Sequence, residues 1–296
     1  MNGTGASAFP NRPRIHDIRR RTEVQASPAW TSPGGTLGGI IREARQRAVL
    51  LLDGEAELAR AAERAPRPPE FARALRGDTV GVIAEVKRRS PSKGWINAGM
   101  SAAEQAAAYA SGGAVAISVL TEPLHFGGCN TDLVDVCAAV GVPVLKKDFH
   151  VDPVQLVEAR ALGASAALLI VRALSPESLP VMAETARRLG LELLIEVRDE
   201  EELRRALDVD ARVIGINNRN LETLVIDPGT AERMLDLVPD TVIAIAESGV
   251  VSRLDVERVA RRGADGVLVG SVVSAAENAV AAVRALTGVQ RVSRAR

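Results

Sequence analysis

The side chains of this sequence that could do chemistry stand at the ends of short apolar segments. Glu85 and Lys87 close the first of these segments, Lys147 closes a later one, and Glu196 and Asn217 close two more. Lysine and glutamate side chains that share a poorly solvated pocket shift each other's pKa values and can supply both a proton donor and a proton acceptor. An isolated Glu85 and Lys87 pair would more simply be a structural ion pair. Charge at the ends of several separate segments instead favours an acid–base site.

Small residues follow the last two apolar segments of the chain. Ser248 and Gly249 come after one, and Gly270 and Ser271 come after the other. Free backbone N–H groups and helix N-termini in such loops bind anions, and the loops after strands seven and eight are the usual phosphate site of (β/α)₈ barrels. Each pair by itself is an ordinary turn, so the prediction of a phosphate site rests on where the two pairs stand.

Further polar and aromatic residues indicate how the rest of a ligand could be held. Asn217 could orient a hydroxyl group, and Arg219 could bind a carboxylate through its planar guanidinium, although a capped turn with an exposed arginine is the simpler alternative. Phe126 and Phe149 are two of only four phenylalanines. They are candidates for an apolar wall against an aromatic ligand, with ordinary packing as the alternative.

Eight apolar segments must position these residues, and each is short and continuous, as expected for a strand buried on both faces. The predicted strands are 80–86, 114–120, 142–147, 164–171, 191–197, 213–217, 241–246 and 264–269. Helical patterns separate them, so we predict an α/β fold, a (β/α)8 TIM barrel over residues 79–288, in which all strand ends meet on one face. An open doubly wound sheet is the alternative, but no GxGxxG sequence follows the first strand.

Capping residues mark the helices between these strands. Ser101 and Ser175 each precede an acidic first turn, and Asp152 and Asp227 each precede a proline. Glycines end the helices before the next strand. Ahead of the barrel, helical patterns over 39–52 and 55–64 predict an N-terminal helical extension covering residues 34–78.

The two ends of the chain are polar and basic. Residues 1–33 contain several arginines among Pro, Ser, Gly and Asn, which predicts a disordered basic tail, with a transit peptide as the alternative. Residues 289–296 are predicted to form a short basic tail.

Composition narrows the classes of partner. Lys plus Arg and Asp plus Glu each total 37, so the net charge is zero, which argues against nucleic acid or an anionic membrane as partner. No segment reaches the roughly 20 apolar residues of a membrane span. Cys129 and Cys137 lie eight positions apart on one predicted helix, with no CxxC spacing and no nearby histidine that would suggest zinc. We therefore predict reduced cysteines, no metal site and a cytoplasmic protein. Zero net charge is compatible with a monomer or a weak homodimer.

Seven segments together resemble one family, the indole-3-glycerol-phosphate synthases of tryptophan biosynthesis. The segments stand in the family's order and cover about residues 35–287. They are Ile-Ala-Glu-Val-Lys-Arg-Arg-Ser-Pro-Ser-Lys-Gly (83–94), Ala-Ile-Ser-Val-Leu-Thr-Glu-Pro (116–123), Pro-Val-Leu-Lys-Lys-Asp-Phe (143–149), Leu-Leu-Ile-Glu-Val (193–197), Gly-Ile-Asn-Asn-Arg-Asn-Leu (215–221), Ala-Glu-Ser-Gly-Val (246–250) and Val-Leu-Val-Gly (267–270).

The resemblance implies an activity and a set of roles. The reaction is the closure of 1-(o-carboxyphenylamino)-1-deoxyribulose 5-phosphate to indole-3-glycerol phosphate with loss of carbon dioxide and water, and it requires no cofactor. By position, Lys147 resembles the general acid that protonates the ribulose carbonyl, and Glu196 resembles a group that assists proton removal in the later dehydration. Glu85 resembles a group that either positions Lys147 or serves in proton transfer. Lys87 resembles a residue that contacts the substrate and could itself donate a proton in one of the steps. The implied binding roles are a ribulose hydroxyl for Asn217, the anthranilate carboxylate for Ser90 and Arg219, and the phosphate for Ser248, Gly249, Gly270 and Ser271.

Two other functions stay open on the sequence. A related enzyme could take a substituted anthranilate derivative, in which case the residues around Phe126 and over 93–100 would decide its substrate. A phosphate-ligand binding protein that had lost catalysis could keep the barrel, but the retained acidic and basic residues argue against it.

Overall fold

A computed structural model describes residues 30–294 of the chain, and within them eight parallel strands close into a barrel. The predicted (β/α)₈ barrel is therefore confirmed. The strands are β1 (Gly81–Val86), β2 (Ala116–Leu120), β3 (Val144–Lys147), β4 (Ala166–Ile170), β5 (Glu192–Val197), β6 (Val213–Asn217), β7 (Ile243–Glu247) and β8 (Gly266–Val269). Each strand pairs with its neighbours in sequence, and β1 closes the barrel against β8.

The register of the barrel brings the carboxyl ends of the strands to one level. Glu85 is paired with Ser118 on β2, and Asn217 is paired with Glu247 on β7. Below this level the interior is filled by aliphatic side chains such as Leu145, which are almost fully buried. The polar groups therefore stand on a packed floor at one mouth of the barrel.

Thirteen α-helices surround or extend the barrel. They are α1 (Gly35–Leu52), α2 (Glu55–Arg64), α3 (Phe71–Ala74), α4 (Ala102–Ser111), α5 (Pro123–Phe126), α6 (Asn130–Ala139), α7 (Pro153–Ala161), α8 (Ser178–Leu189), α9 (Glu200–Leu207), α10 (Gly229–Leu235), α11 (Arg253–Arg261), α12 (Ser271–Ser274) and α13 (Ala279–Arg284), counted over residues 30–294. Ser101 caps α4 and Asp152 caps α7, as predicted. Ser175 stands three residues before α8 and accepts a hydrogen bond from the backbone N–H of Ser178.

The N-terminal extension packs on the barrel through α1. This helix begins at Gly35, four residues before its predicted start, and it buries Leu37, Ile40 and Ile41. The predicted basic tail covers residues 1–33, and its positions 1–29 lie outside the described residues. In the described remainder, the carbonyl oxygen of Thr31 accepts a hydrogen bond from Arg172 at 2.8 Å.

The described part of the C-terminal segment is docked and is not a free tail. The backbone N–H of Val80 donates to the carbonyl of Val289, and Arg291 and Arg294 both pair with Asp265. Asp265 is 2% exposed and also accepts a hydrogen bond from the backbone N–H of Ala244 at 2.7 Å. A buried carboxylate thus ties the end of the chain to the amino-terminal face of the barrel.

We expect Asp265→Asn to lower the free energy of unfolding by about 2–4 kcal/mol, because it leaves two guanidinium groups without their buried partner. Denaturant unfolding followed by circular dichroism measures this loss. Asp236→Asn is the matched control, since the pair of Asp236 with Arg262 is more than half exposed on both sides and should contribute about 1 kcal/mol or less. Equal losses in the two variants would contradict a structural role for the docked segment.

Candidate functional site

All thirteen residues that the sequence nominates line one cavity at the carboxyl ends of the strands. The cavity encloses about 1220 Å³ with its open mouth included. They are Glu85, Lys87, Ser90, Phe126, Lys147, Phe149, Glu196, Asn217, Arg219, Ser248, Gly249, Gly270 and Ser271. Its lining combines charged, aromatic and small residues, which suit a ligand that carries both an aromatic ring and a phosphorylated chain.

Glu85 and Lys87 face the same side of β1 and its extension, and they form an ion pair. Lys87 Nζ lies 2.7 Å from Glu85 Oε1, with both side chains mostly buried. Burial opposes ionisation of Glu85, but the charges of Lys87 and then Lys147 outweigh it and lower the pKa of this carboxyl. Gly270 makes the pair possible, since a Cβ atom there would lie 2.4 Å from Glu85 Oε1.

Lys147 lies between two carboxylates on other strands. Its Nζ is 3.8 Å from Glu196 Oε2 and 3.6 Å from Glu247 Oε2. Both separations exceed the usual length of a hydrogen bond, so the attraction is mainly ionic. Burial opposes the charged form, but the carboxylates outweigh it and raise the pKa of Lys147. This lysine is therefore charged at neutral pH.

Glu247 is the acidic residue that the sequence prediction missed. It ends β7, is 2% exposed, and its Oε1 has no hydrogen-bond partner among the described residues. Gly215 on β6 leaves the room for it, because a Cβ atom there would lie 2.0 Å from that oxygen. The signal was present in the sequence, since Glu247 follows an apolar segment just as Glu196 does.

Three carboxylates and two ammonium groups share this end of the cavity. One negative charge is therefore in excess in a largely buried site, and protonating one carboxyl relieves it. Burial, followed by repulsion from Glu196 and Glu85, raises the pKa of Glu247 to about 8. Glu247 is therefore the carboxyl of this group that most readily holds the excess proton.

The loops after β6, β7 and β8 also line the cavity. Ser248 has a left-handed backbone with φ of 63°, and Gly249 follows with φ of 84°. Asn218, which the sequence prediction also missed, donates from Nδ2 to the carbonyl of Ser248 at 2.8 Å and accepts from the backbone N–H of Ala231. A strained serine held by a buried amide is characteristic of functional loops.

Arg219 and Ser90 lie at the rim, where two loops meet. Arg219 Nη1 donates to the carbonyl of Leu224 at 3.0 Å and lies 3.4 Å from Ser92 Oγ. Ser90 is buried in a short antiparallel turn and accepts a hydrogen bond from the backbone N–H of Lys93. The loop after β1 and the loop after β6 are thereby joined over the cavity.

Phe126 and Phe149 lie side by side, and we refer to these two rings as the aromatic wall. Their centroids are 6.1 Å apart with an interplanar angle of 34°. Leu37 and Ile40 of α1 line the same cavity. The N-terminal helix therefore completes the apolar side of the site, which a strand-based prediction would not place there.

One group of side chains near the cavity has the composition of a metal site. Glu43, Glu122 and His125 lie within reach of a common ion. Both carboxylate oxygens of Glu122 already accept backbone N–H groups at the start of α5, and His125 Nε2 lies 2.7 Å from Glu43 Oε2. The cluster is accounted for by helix capping and one polar pair.

A lysine held between carboxylates at the carboxyl face of a (β/α)₈ barrel defines the class as an acid–base barrel enzyme. The family model "Indole-3-glycerol phosphate synthase" matches residues 39–286. The chain belongs to the indole-3-glycerol phosphate synthase family, the carboxy-lyases of tryptophan biosynthesis.

Individual relatives agree with this assignment. The chain is 54% identical over 199 residues to the indole-3-glycerol phosphate synthase of Kineococcus radiotolerans. The aligned residues cover 67% of this chain and 73% of that protein. The chain is 49% identical over 227 residues to the indole-3-glycerol phosphate synthase of Streptomyces griseus, covering 77% and 84% respectively. A solved thiamine phosphate pyrophosphorylase from Pyrococcus furiosus shares the fold at a TM-score of 0.53 and 18% identity, over 73% of this chain and 96% of the other.

Within residues 30–294, none of the helices has the length and apolar character that crossing a membrane requires. Cys129 and Cys137 are both free thiols. Cys129 directly precedes α6, and only Cys137 lies within it, whereas the sequence placed both on one helix.

Proposed function

We propose that this protein converts 1-(o-carboxyphenylamino)-1-deoxyribulose 5-phosphate to indole-3-glycerol phosphate with release of carbon dioxide and water. The observation that carries this proposal is the position of Lys147 Nζ between Glu196 and Glu247, at 3.8 and 3.6 Å. In the first step the ring carbon that bears the carboxylate attacks the ketone, and a new carbon–carbon bond forms. The ketone oxygen takes a proton as its charge develops, and Lys147 is the donor.

The second half of the reaction restores the aromatic ring and then removes water. Loss of carbon dioxide leaves its bonding electrons in the ring, and the hydroxyl formed from the ketone takes a second proton, from Lys87 or Lys147, and departs as water. Glu196 assists removal of the proton from the neighbouring carbon in that dehydration. The ion pair of Glu85 with Lys87 positions Lys147 and takes part in proton transfer, because it reaches the same cavity from β1.

The remaining side chains bind the substrate. Asn217 orients a ribulose hydroxyl, while Ser90 and Arg219 bind the carboxylate until it is lost. The phosphate occupies the loops of Ser248, Gly249, Gly270 and Ser271, where backbone N–H groups and small residues permit close approach. The aromatic wall receives the anthranilate ring. Support for this placement is that charged, apolar and small residues line the same cavity.

The proposal is tested by incubating purified protein with the carboxyphenylamino-deoxyribulose phosphate and following the absorbance of indole-3-glycerol phosphate, with EDTA present throughout. We expect turnover that EDTA does not diminish, since the proton transfers assigned above use side chains only. Thermal stabilisation by the substrate without turnover would favour a binding protein. Turnover only of a substituted anthranilate derivative would favour the related enzyme.

We further propose that the enzyme works in the cytoplasm as a monomer or weak homodimer and takes a small phosphorylated substrate without a nucleic-acid or membrane partner. The zero net charge supports this, because no large field of one sign would recruit a polyanion.

A further inference from the structure

Arg47 lies on α1, outside the acid–base group, and contacts two loops of the cavity at once. Its Nη1 is 3.3 Å from Glu122 Oε1, and its Nη2 is 2.8 Å from Asp148 Oδ1. Glu122 belongs to the loop after β2, and Asp148 belongs to the loop after β3. The arginine side chain is 26% exposed, whereas the two carboxylates are 0% and 8% exposed. One guanidinium therefore joins the N-terminal helix to both loops.

The first of these carboxylates fixes the backbone that carries Phe126. Glu122 Oε1 accepts the backbone N–H of Leu124 at 3.1 Å, and Oε2 accepts those of His125 at 2.6 Å and Phe126 at 3.1 Å. The helix α5 has only four residues, too few to be stable without tertiary contacts. Its position therefore depends on where Glu122 is held.

The second carboxylate fixes the backbone that carries Phe149. Asp148 Oδ1 accepts the backbone N–H of Phe149 at 2.8 Å, and Oδ2 accepts a hydrogen bond from Thr121 Oγ1 at 2.7 Å. The backbone of each ring of the aromatic wall is thus hydrogen-bonded to a carboxylate, and Arg47 binds both carboxylates. In the sequence, Arg47 is 75 positions from Glu122 and 101 positions from Asp148.

We propose that Arg47 is a positioning residue that holds the aromatic wall in its binding geometry before the substrate arrives. This inference rests on the proposed function, in which the wall receives the anthranilate ring. When the wall is already ordered, substrate binding costs less loop and side-chain entropy. Arg47 therefore acts on affinity more than on the proton transfers. Glu43 keeps a second contact from α1 to α5 through His125, so the fold does not depend on Arg47 alone.

The test is a steady-state comparison of Arg47→Met, which keeps the apolar stem, with the unmodified protein. We expect KM for the carboxyphenylamino-deoxyribulose phosphate to rise about tenfold while kcat changes by less than about twofold. Arg47→Lys should recover part of the affinity, because an ammonium can bind one carboxylate but cannot span both. Arg45→Met is the control, since Arg45 is exposed on the same helix, and it should leave both constants unchanged.

Two results would overturn the proposal. A lower Tm with unchanged KM and kcat per folded molecule would make Arg47 a purely structural residue, and a fall in kcat at unchanged KM would place its effect on the chemistry. Absence of turnover by the unmodified protein is a different failure, because it refutes the proposed function itself, and the role of Arg47 falls with it.

Discussion

Lys147→Ala is expected to lower kcat by about 10² or more while the substrate still binds, the usual scale for removing a positioned acid. The reason is geometric, since Lys147 Nζ stands between Glu196 and Glu247 without a hydrogen bond to either. Its ammonium is thus charged and able to donate. Steady-state kinetics give kcat, and calorimetric titration with the substrate gives the affinity of the variant.

Two variants sharpen this test. Lys147→Arg keeps the positive charge, but a guanidinium is a weaker acid than an ammonium and its planar fork does not fit the same place between Glu196 and Glu247. It should therefore be as slow as Lys147→Ala. Lys146→Met is the matched control, because Lys146 is the neighbouring residue and pairs with Glu158 of α7 outside the cavity. It should lower stability but preserve kcat per folded molecule. Near-normal turnover in Lys147→Ala would contradict the assignment of Lys147 as the proton donor.

The strands were predictable because parallel strands buried on both faces are continuous apolar segments. Several predicted starts were two residues early, as at Ala114 and Ala164. Both residues are buried, at 4% and 0% exposure, yet both precede the first paired residue of the strand. Hydrophobicity reports burial and not pairing, so it extends past the ends of the strand ladder.

A similar error of one residue hid Glu247. The sequence placed the end of β7 at Ala246 and assigned the next residues to a turn, but the strand continues to Glu247, which is level with Asn217 on β6. Register between neighbouring strands decides which side chains face the cavity, and it depends on pairing across the sheet. The ties of Arg47 to Asp148 and of Arg294 to Asp265 were equally hidden, because local spacing says nothing of a partner in another element.

Glu247→Gln is expected to change how stability depends on pH. The pKa of Glu247 is raised to about 8 in the folded protein by burial and by Glu196 and Glu85, against its ordinary value near 4.5 when unfolded. Between these values the folded state holds a proton that the unfolded state has released. The contribution of Glu247 to the free energy of unfolding is therefore fully present below about pH 4.5 and is lost as the pH rises toward about 8. Above about pH 8 it no longer changes with pH.

Glutamine is neutral throughout, so the variant lacks this decline. We expect the Tm of Glu247→Gln relative to the unmodified protein to rise by about 5 °C between pH 5 and pH 9, in scanning calorimetry at constant ionic strength. Glu63→Gln, on the exposed face of α2, controls for a loss of charge alone and should show no such trend. A Tm difference that is flat with pH would mean that Glu247 is ionised at neutral pH. Lys147 would then face two full charges, and the excess proton would belong to another carboxyl of the cavity.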